Sequence, residues 1–416
     1  MRPSPTDAIA RRLVFKLLSL IKDERIDLVD GRDSFSFGAP DAELRATITV
    51  CSPRFYRHML RGSIGLAETY MDGDWETDDL VALSRIGARN MVAVDRLRRR
   101  WHPLLHRAQT LADMVPRNDI AGSVRNIAAH YDLGNQLFSL FLDPTMMYSC
   151  AYFESPERSL EEAQVAKLDR ACRALELGPG DHLLEIGTGW GAMAIHAAER
   201  YGCEVTTTTI SQEQHDYARE QVQDKGLEER ITVLLEDYRD LQGTYTKLVS
   251  LEMIEAVGWQ YFPTYFRHCS RLLAPDGLMF LQAITIDDRA YEVEKASKSF
   301  INTHIFPGGC LPSLEVVHRC VAAETDLTTV WLDDITPHYA ETVKRWRETF
   351  VASRDLAAEL GYDETFRRMW ELYLAYVEAG FRERRINDVH VLFAKPERRG
   401  VLPAHAQAPA RLQAAA

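Results

Sequence analysis

The sequence predicts an α/β fold: a Rossmann-like, mostly parallel sheet with helices on both faces, preceded by a smaller N-terminal α+β domain. Three observations carry this. Apolar strand-like runs alternate with helical ones from Asp181 to Ile286, and strand–helix repetition builds a parallel sheet covered on both sides. The first of these strands ends in a glycine turn, Gly187-Thr188-Gly189-Trp190-Gly191, which opens a helix. Before them, residues 27–50 hold short alternating runs among turn residues, such as Ala46-Thr47-Ile48-Thr49-Val50.

In chain order, residues 1–110 make the N-terminal domain. Ile9, Leu13, Leu17 and Leu20 share one helical face. A helix docked on its own domain is the plainer reading of that face, and a membrane-surface helix is the other. Residues 111–128 form a polar linker with Pro116, Asn118, Asp119 and Gly122. The larger domain, 129–397, follows. Its runs are Asp181 to Ile186 and then a helix, Glu204 to Ile210, a helix over Glu213 to Lys225, and Ile231 to Leu235. Lys247 to Leu251, a helix over Gln260 to Leu273, and Leu278 to Ile286 come next. The alternation then breaks. Glu292 to Ser313 reads as an insertion covering the site, Ala340 to Leu360 and Glu364 to Arg384 as long helices, and Val389 to Ala394 as a closing strand. The Ala-, Pro- and Arg-rich tail, 398–416, reads as disordered.

Composition narrows the function. The 416 residues are 46% hydrophobic and 26% charged, which suits two globular domains. The net charge of −12 lacks the basic footprint of a nucleic-acid partner. No apolar run approaches the roughly 18 residues of a membrane span. Leu13 to Ile21 is short, is interrupted by Lys16, and has no cleavage site after it, which argues against a secretory signal. The seven cysteines are odd in number and never spaced Cys-x-x-Cys. A reducing cytoplasm without disulfides or a metal centre is therefore expected. Arg85, Arg89, Arg96, Arg98, Arg99, Arg100 and Arg107 crowd a stretch with one acid, Asp95. They fit a solvated helix face or a patch for anionic headgroups.

The glycine turn brings bare backbone to a helix N-terminus. Its Gly-x-Gly-x-Gly spacing lacks the longer reach to the last glycine of a dinucleotide fingerprint. Thr206 to Ser211, where a ribose-holding acid would stand, contain none. Both points count against a nicotinamide cofactor. A compressed turn suits the amino-acid and ribose parts of S-adenosylmethionine (SAM), with Gly187, Thr188 and Gly189 against it. A purely structural turn is the alternative.

Three flanking segments decide between them: His130-Tyr131-Asp132-Leu133-Gly134-Asn135, Met147-Tyr148-Ser149-Cys150-Ala151-Tyr152-Phe153, and Ile305-Phe306-Pro307-Gly308-Gly309-Cys310-Leu311-Pro312-Ser313. With the glycine turn they form four separated motifs in order, and the chain from about Pro53 to Pro396 resembles the cyclopropane-fatty-acid synthase family. That resemblance implies transfer of a methylene from SAM to the cis double bond of an acyl chain. Arg61 to Trp75 looks like the N-terminal domain of the bacterial members, which favours phospholipid in a membrane as the substrate. It implies a cytoplasmic enzyme, peripheral to the inner face of the membrane. Lipid docking is the functional reading of the N-terminal domain, and a homodimer contact is its rival.

Residue by residue, the resemblance implies that Tyr148 and Ser149 approach the cofactor from a lid. Gln214 takes the ribose, beside Thr209 and Ile210, since an amide can bond a diol in either sense. Glu236-Asp237-Tyr238 would supply an acid, Asp237, for the adenine amino group. Tyr238 would stack on the ring or simply pack. The family implies a bound bicarbonate that removes a proton from a lipid carbocation. Here it would meet the backbone N–H groups of Cys150 and Ile284 with Glu255, Gln282 and Tyr339. Aromatic faces of Tyr148 and Tyr339 would stabilise cationic centres, while Tyr152 and Phe153 fit core packing better.

The sequence departs from a common family pattern at three places. Gln282 and Ala256 stand where many members carry His, and Val377 where some carry Cys. Gln282 cannot titrate near neutral pH, which weakens the expectation of ring closure. A methyl or methylene branch is thus the nearest rival product. A small-molecule methyltransferase, and a lipid-binding protein with a degenerate enzyme domain, are the others. The intact glycine turn, Gln214 and Glu255 speak against degeneration.

Overall fold

The computed structural model describes residues 5–91, 133–295 and 297–399. The linker, the arginines from Arg96 to Arg107, His130-Tyr131-Asp132 and the tail from Gly400 lie outside the described residues. The chain divides into two compact units. The first is Met1–Val115 with Ala296–Ile305 and Val343–Arg385, and the second is Pro116–Lys295 with Phe306–Thr342 and Ile386–Ala416.

In the first unit a four-stranded sheet is built from β1 (Arg25–Asp30), β2 (Asp33–Gly38), β3 (Arg45–Val50) and β4 (Trp75–Thr77), in the order β2-β1-β3-β4. The division differs from the sequence expectation, which gave all of 129–397 to the larger domain. The reason is a set of anchors on the helix Glu364–Arg382 and just after it. Buried Arg368 donates to the carbonyls of Tyr70 (2.6 Å) and Trp75 (3.2 Å), pairs with Glu76 and lies 4.0 Å over the Tyr70 ring. Arg85 and Arg89 hold Glu383, and the Phe300 N–H donates to the Ser63 hydroxyl.

The helix Pro5–Leu18 packs through Ala10, Val14 and Leu18. The stripe expected to dock lies beside it and is exposed: Ile9, Leu13, Leu17 and Leu20 are 61, 46, 50 and 65% exposed. The apolar positions of this segment outnumber what one packed face can take, and the smaller set is the one that is buried.

The second unit is built on a seven-stranded sheet, with the order β10-β11-β9-β8-β5-β6-β7. The strands are β5 (His182–Ile186), β6 (Glu204–Thr209), β7 (Ile231–Leu235), β8 (Tyr245–Leu251), β9 (Leu273–Ile286), β10 (Thr328–Asp334) and β11 (Ile386–Ala394). β5 to β9 are parallel, and β11 is antiparallel to both β9 and β10. Every expected strand is present within a few residues of its expected ends; β10 is additional. The order reverses at β5, which has β6 on one side and β8 on the other. That switch point is where a ligand sits in an open α/β sheet, beyond the carboxyl ends of the strands. Apolar side chains on both faces of the sheet form two buried clusters, one including Leu184, Leu248 and Leu281, the other Leu183, Val205 and Phe280.

Candidate active site

Four strand ends converge at the switch point. Beyond β5 the chain turns through Gly187, Gly189 and Gly191 with φ of 104°, 52° and 93°, angles that favour glycine. A Cβ on Gly187 would meet Met253 at 3.1 Å, whereas one on Gly189 would meet no atom within 4 Å. The turn then enters the helix Ala192–Tyr201. Beyond β6, the Thr209 hydroxyl donates to Gln214 Oε1 at 3.0 Å, and Ser211 caps the next helix. All ten residues expected to hold the cofactor line one cavity: Tyr148, Ser149, Gly187, Thr188, Gly189, Thr209, Ile210, Gln214, Asp237 and Tyr238. A glycine cradle with open space at Gly189 and an amide beside it suits the amino-acid and ribose portions of SAM.

The Asp237 carboxylate is held by Arg239, at 2.7 Å from Nε and 2.6 Å from Nη2, which fixes its position on the cavity wall and leaves lone pairs for a further donor. Glu236 lines the same cavity and is the other acid of that segment. Tyr238 packs edge-on against Tyr265, with ring centroids 5.5 Å apart. Tyr148 lies against Phe138 and stacks on Phe306. Ser149 is held from below by the helix Leu160–Ala174, which begins with a capping box of Ser159 and Glu162. From that helix Lys167 Nζ donates to the Ser149 hydroxyl at 2.6 Å and Gln164 donates to its carbonyl at 2.9 Å.

The five expected catalytic residues are brought together, but around Glu252, which no sequence motif singles out. The first residue after β8 is Glu252, which is half-buried, lines the cavity and has φ of 50°. Its N–H donates to the Gln282 carbonyl on β9. Its Oε1 accepts from the Cys150 N–H at 2.8 Å and from Gln282 Nε2 at 2.5 Å, and its Oε2 from the Tyr339 hydroxyl at 2.5 Å. The Ile284 N–H goes to Glu255 Oε1 at 2.5 Å. Register explains the convergence: Gln282 and Ile284 on β9 pair with His390 and Asp388 on β11. Gln282 Nε2 also reaches Asp388 at 3.0 Å, and His390 Nε2 lies 3.2 Å from Gln282 Oε1. Burial holds His390 neutral, so it can donate to that oxygen and fix which end of the amide faces the carboxylates.

Four ionisable groups therefore share a space poor in water. Burial, then the neighbouring Glu252, pushes Glu255 up to about 8. Burial and both glutamates push Asp388 well above the carboxylate range. Burial raises Glu252 too, against the pull of its hydrogen bonds and of Lys167. Lys167 is lowered by burial. Burial favours the protonated form of Asp388 and Glu255, while the three donors favour charge on Glu252. The Cys150 thiol is buried and pushed far up, so its contribution is its backbone N–H.

The bicarbonate expectation does not fit these residues. Of its five assigned contacts, the Cys150 N–H, Gln282 and Tyr339 bond the Glu252 carboxylate, and the Ile284 N–H bonds Glu255. A further anion would have to displace one carboxylate and lie beside another.

Comparison with known proteins agrees with the fold and with SAM as the cofactor. Residues 119–391 match the model of the mycolic acid cyclopropane synthetase family. The tuberculostearic acid methyltransferase UfaA1 of Mycobacterium tuberculosis is 42% identical, over 79% of this chain and 77% of its own. The cyclopropane-fatty-acyl-phospholipid synthase of Escherichia coli strain K12 is 37% identical over 86% and 90%. Among solved structures, the cyclopropane synthase MmaA2 of M. tuberculosis superposes with a TM-score of 0.62 at 32% identity, over 67% of this chain and all of its own. The mycolic acid cyclopropane synthase CmaA1, complexed with SAH and CTAB, gives 0.61 at 34%, over 65% and 98%. With the glycine cradle and the strand-end cavity in place, these matches settle the family: the chain belongs to the family described as mycolic acid cyclopropane synthetase and is a SAM-dependent methyltransferase.

Proposed function

We propose that the protein transfers the one-carbon unit of SAM to the cis double bond of an unsaturated acyl chain carried by membrane phospholipid, giving a cyclopropane fatty acid. The observation that carries this reading is one cavity lined both by the residues suited to SAM and by Glu252, the member of the acid cluster that reaches it. SAM, when bound, supplies an electrophilic methyl group. Gly187 and Gly189 allow close approach of the backbone, Gln214 offers an amide for the ribose, and Tyr148 supplies an aromatic face for positive charge. Phe306 and Phe138 back that ring and exclude water. Bicarbonate has no part in this reading, because its donors are taken.

A second product has specific support. A relative 42% identical is named a methyltransferase, and Gln282 replaces a titratable group. A methyl or methylene branch would use the same site and differ in where the proton leaves. Mass analysis before and after catalytic hydrogenation of the acyl product separates the two: a methylene branch takes up hydrogen under conditions a cyclopropane survives.

For the lipid partner, the support is the exposed apolar stripe Ile9, Leu13, Leu17 and Leu20 with exposed Arg12 and Lys16 beside it. An apolar face flanked by cations suits the surface of an anionic bilayer. The enzyme is accordingly read as cytoplasmic and peripheral to the inner face of the membrane, with a second copy of the chain as the rival occupant. Among the described residues no helix is long and apolar enough to cross a membrane.

A further inference from the structure

We propose that Glu252 is the proton acceptor of the transfer, a built-in carboxylate that makes the enzyme independent of any bound inorganic anion. The inference rests on the proposed transfer to an alkene.

Geometry carries it. Glu252 is an acid lining the SAM cavity, and its carboxylate is held by three donors from three different segments: the Cys150 N–H, Gln282 and Tyr339. Its backbone occupies the left-handed region at φ 50°. A non-glycine residue there is strained, and strain of this sort persists where a site over-determines it. The register of β8, β9 and β11 places Gln282 to face it, and His390 orients that amide. Such support fits a carboxylate that must stay in one position and take up a proton.

The other acids are worse placed for the task. Asp388 is fully buried and does not line the cavity. Glu255 accepts the Ile284 N–H through Oε1, and its inaccessible Oε2 has no hydrogen-bond partner among the described residues. An oxygen without a donor, beside a second carboxylate, is where a retained proton belongs. Glu255 is then the protonated neighbour, and Glu252 the charged base.

The bond from the methyl carbon to sulfur breaks while a bond to one alkene carbon forms, leaving a thioether and a cation on the other alkene carbon. A C–H bond of the new methyl group breaks, its electron pair closes the three-membered ring, and its proton passes to Glu252. The proton then leaves to solvent between turnovers, so no other reactant is consumed.

Two variants test this. Glu252→Gln keeps the shape and loses the base, so the rate should fall roughly 10²–10⁴-fold, while SAM affinity by calorimetry changes little. Glu252→Gly removes the side chain at a backbone angle that glycine adopts freely, leaving the donors around a space for a small oxyanion. Formate or bicarbonate should then raise its rate at least tenfold and leave the wild type unchanged. As a readout apart from turnover, carbon-13 NMR titration of the SAM-free proteins with labelled bicarbonate should show saturable binding to Glu252→Gly and none to wild type. Wild type that binds bicarbonate and needs it after thorough depletion would overturn the proposal. So would Glu252→Gln turning over at the wild-type rate. If wild type instead transfers no label to any unsaturated lipid, the proposed function fails, which is a different result from loss in the variants alone.

Discussion

Gly189→Val is the sharpest perturbation of the cofactor site. Gly189 has φ of 52°, and a Cβ placed there meets no protein atom within 4 Å. The substitution therefore causes no clash within the fold, and its cost there is the backbone: about 1–3 kcal/mol for a residue forced into the left-handed region. Gly226 gives the matching control. It lies beyond the helix Gln212–Asp224 with φ of 64° and nothing within 4 Å, and it does not line the cavity. Gly226→Val bears a similar backbone cost with no cofactor nearby. The difference between the two variants is what the added side chain does in the cavity. Overpacking a fitted site costs roughly 1–3 kcal/mol, so SAM should bind at least about 5- to 150-fold more weakly to Gly189→Val. Thermal melts should show both variants folded and lowered by a similar few degrees. Calorimetric titration should show SAM affinity lost in Gly189→Val and kept in Gly226→Val. Equal SAM affinity in the two would mean that the cradle is structural and the cofactor lies elsewhere.

Two other perturbations are informative. Burial pushes Glu185 from its ordinary 4.5 to about 8. A raised folded-state value means that its stabilising contribution is complete below about pH 4.5 and is lost as pH rises through about 8; melting temperatures of Glu185→Gln should fall less than wild type across that window, and an identical fall would refute the assignment. Replacing Ile9, Leu13 and Leu17 together by Ser removes exposed apolar surface without touching the buried face of that helix. Sedimentation with anionic vesicles should drop several-fold with SAM affinity intact, whereas unchanged sedimentation together with a changed oligomeric state would assign the stripe to a second copy of the chain.

Much of the second unit was legible in the sequence because it depends on local pattern. Apolar runs of strand length, helical periodicity and a glycine turn each report on a few consecutive residues. Gly187, Thr188 and Gly189 follow from that turn, whereas Tyr148, Ser149, Thr209, Ile210, Gln214, Asp237 and Tyr238 follow from the family resemblance, and all ten line the one cavity. What was missed is non-local. Glu252 stands next to a strand end, and two acids three residues apart at the carboxyl end of a strand were a usable signal. Its importance comes only from the register that brings Gln282, Asp388 and His390 from two further strands. β10 was missed because Thr328 to Asp334 is a half-exposed edge strand without a clear apolar run. The grouping of Val343–Arg385 with the first unit rests on Arg368, Arg85 and Arg89 meeting partners about 300 positions away in sequence, which no local window contains. The helix Pro5–Leu18 buries a different stripe from the one its larger apolar residues predict, because those residues define two neighbouring stripes and only packing selects one.

The most direct measurement of the central claim is transfer of label from methyl-labelled SAM to phospholipid vesicles of two kinds, one with monounsaturated and one with fully saturated acyl chains. Label should appear in the acyl chains of the unsaturated vesicles alone, each labelled chain heavier by one carbon unit, with one SAH formed per transfer. Equal labelling of both vesicle types, or label found in headgroups and absent from acyl chains, would contradict it.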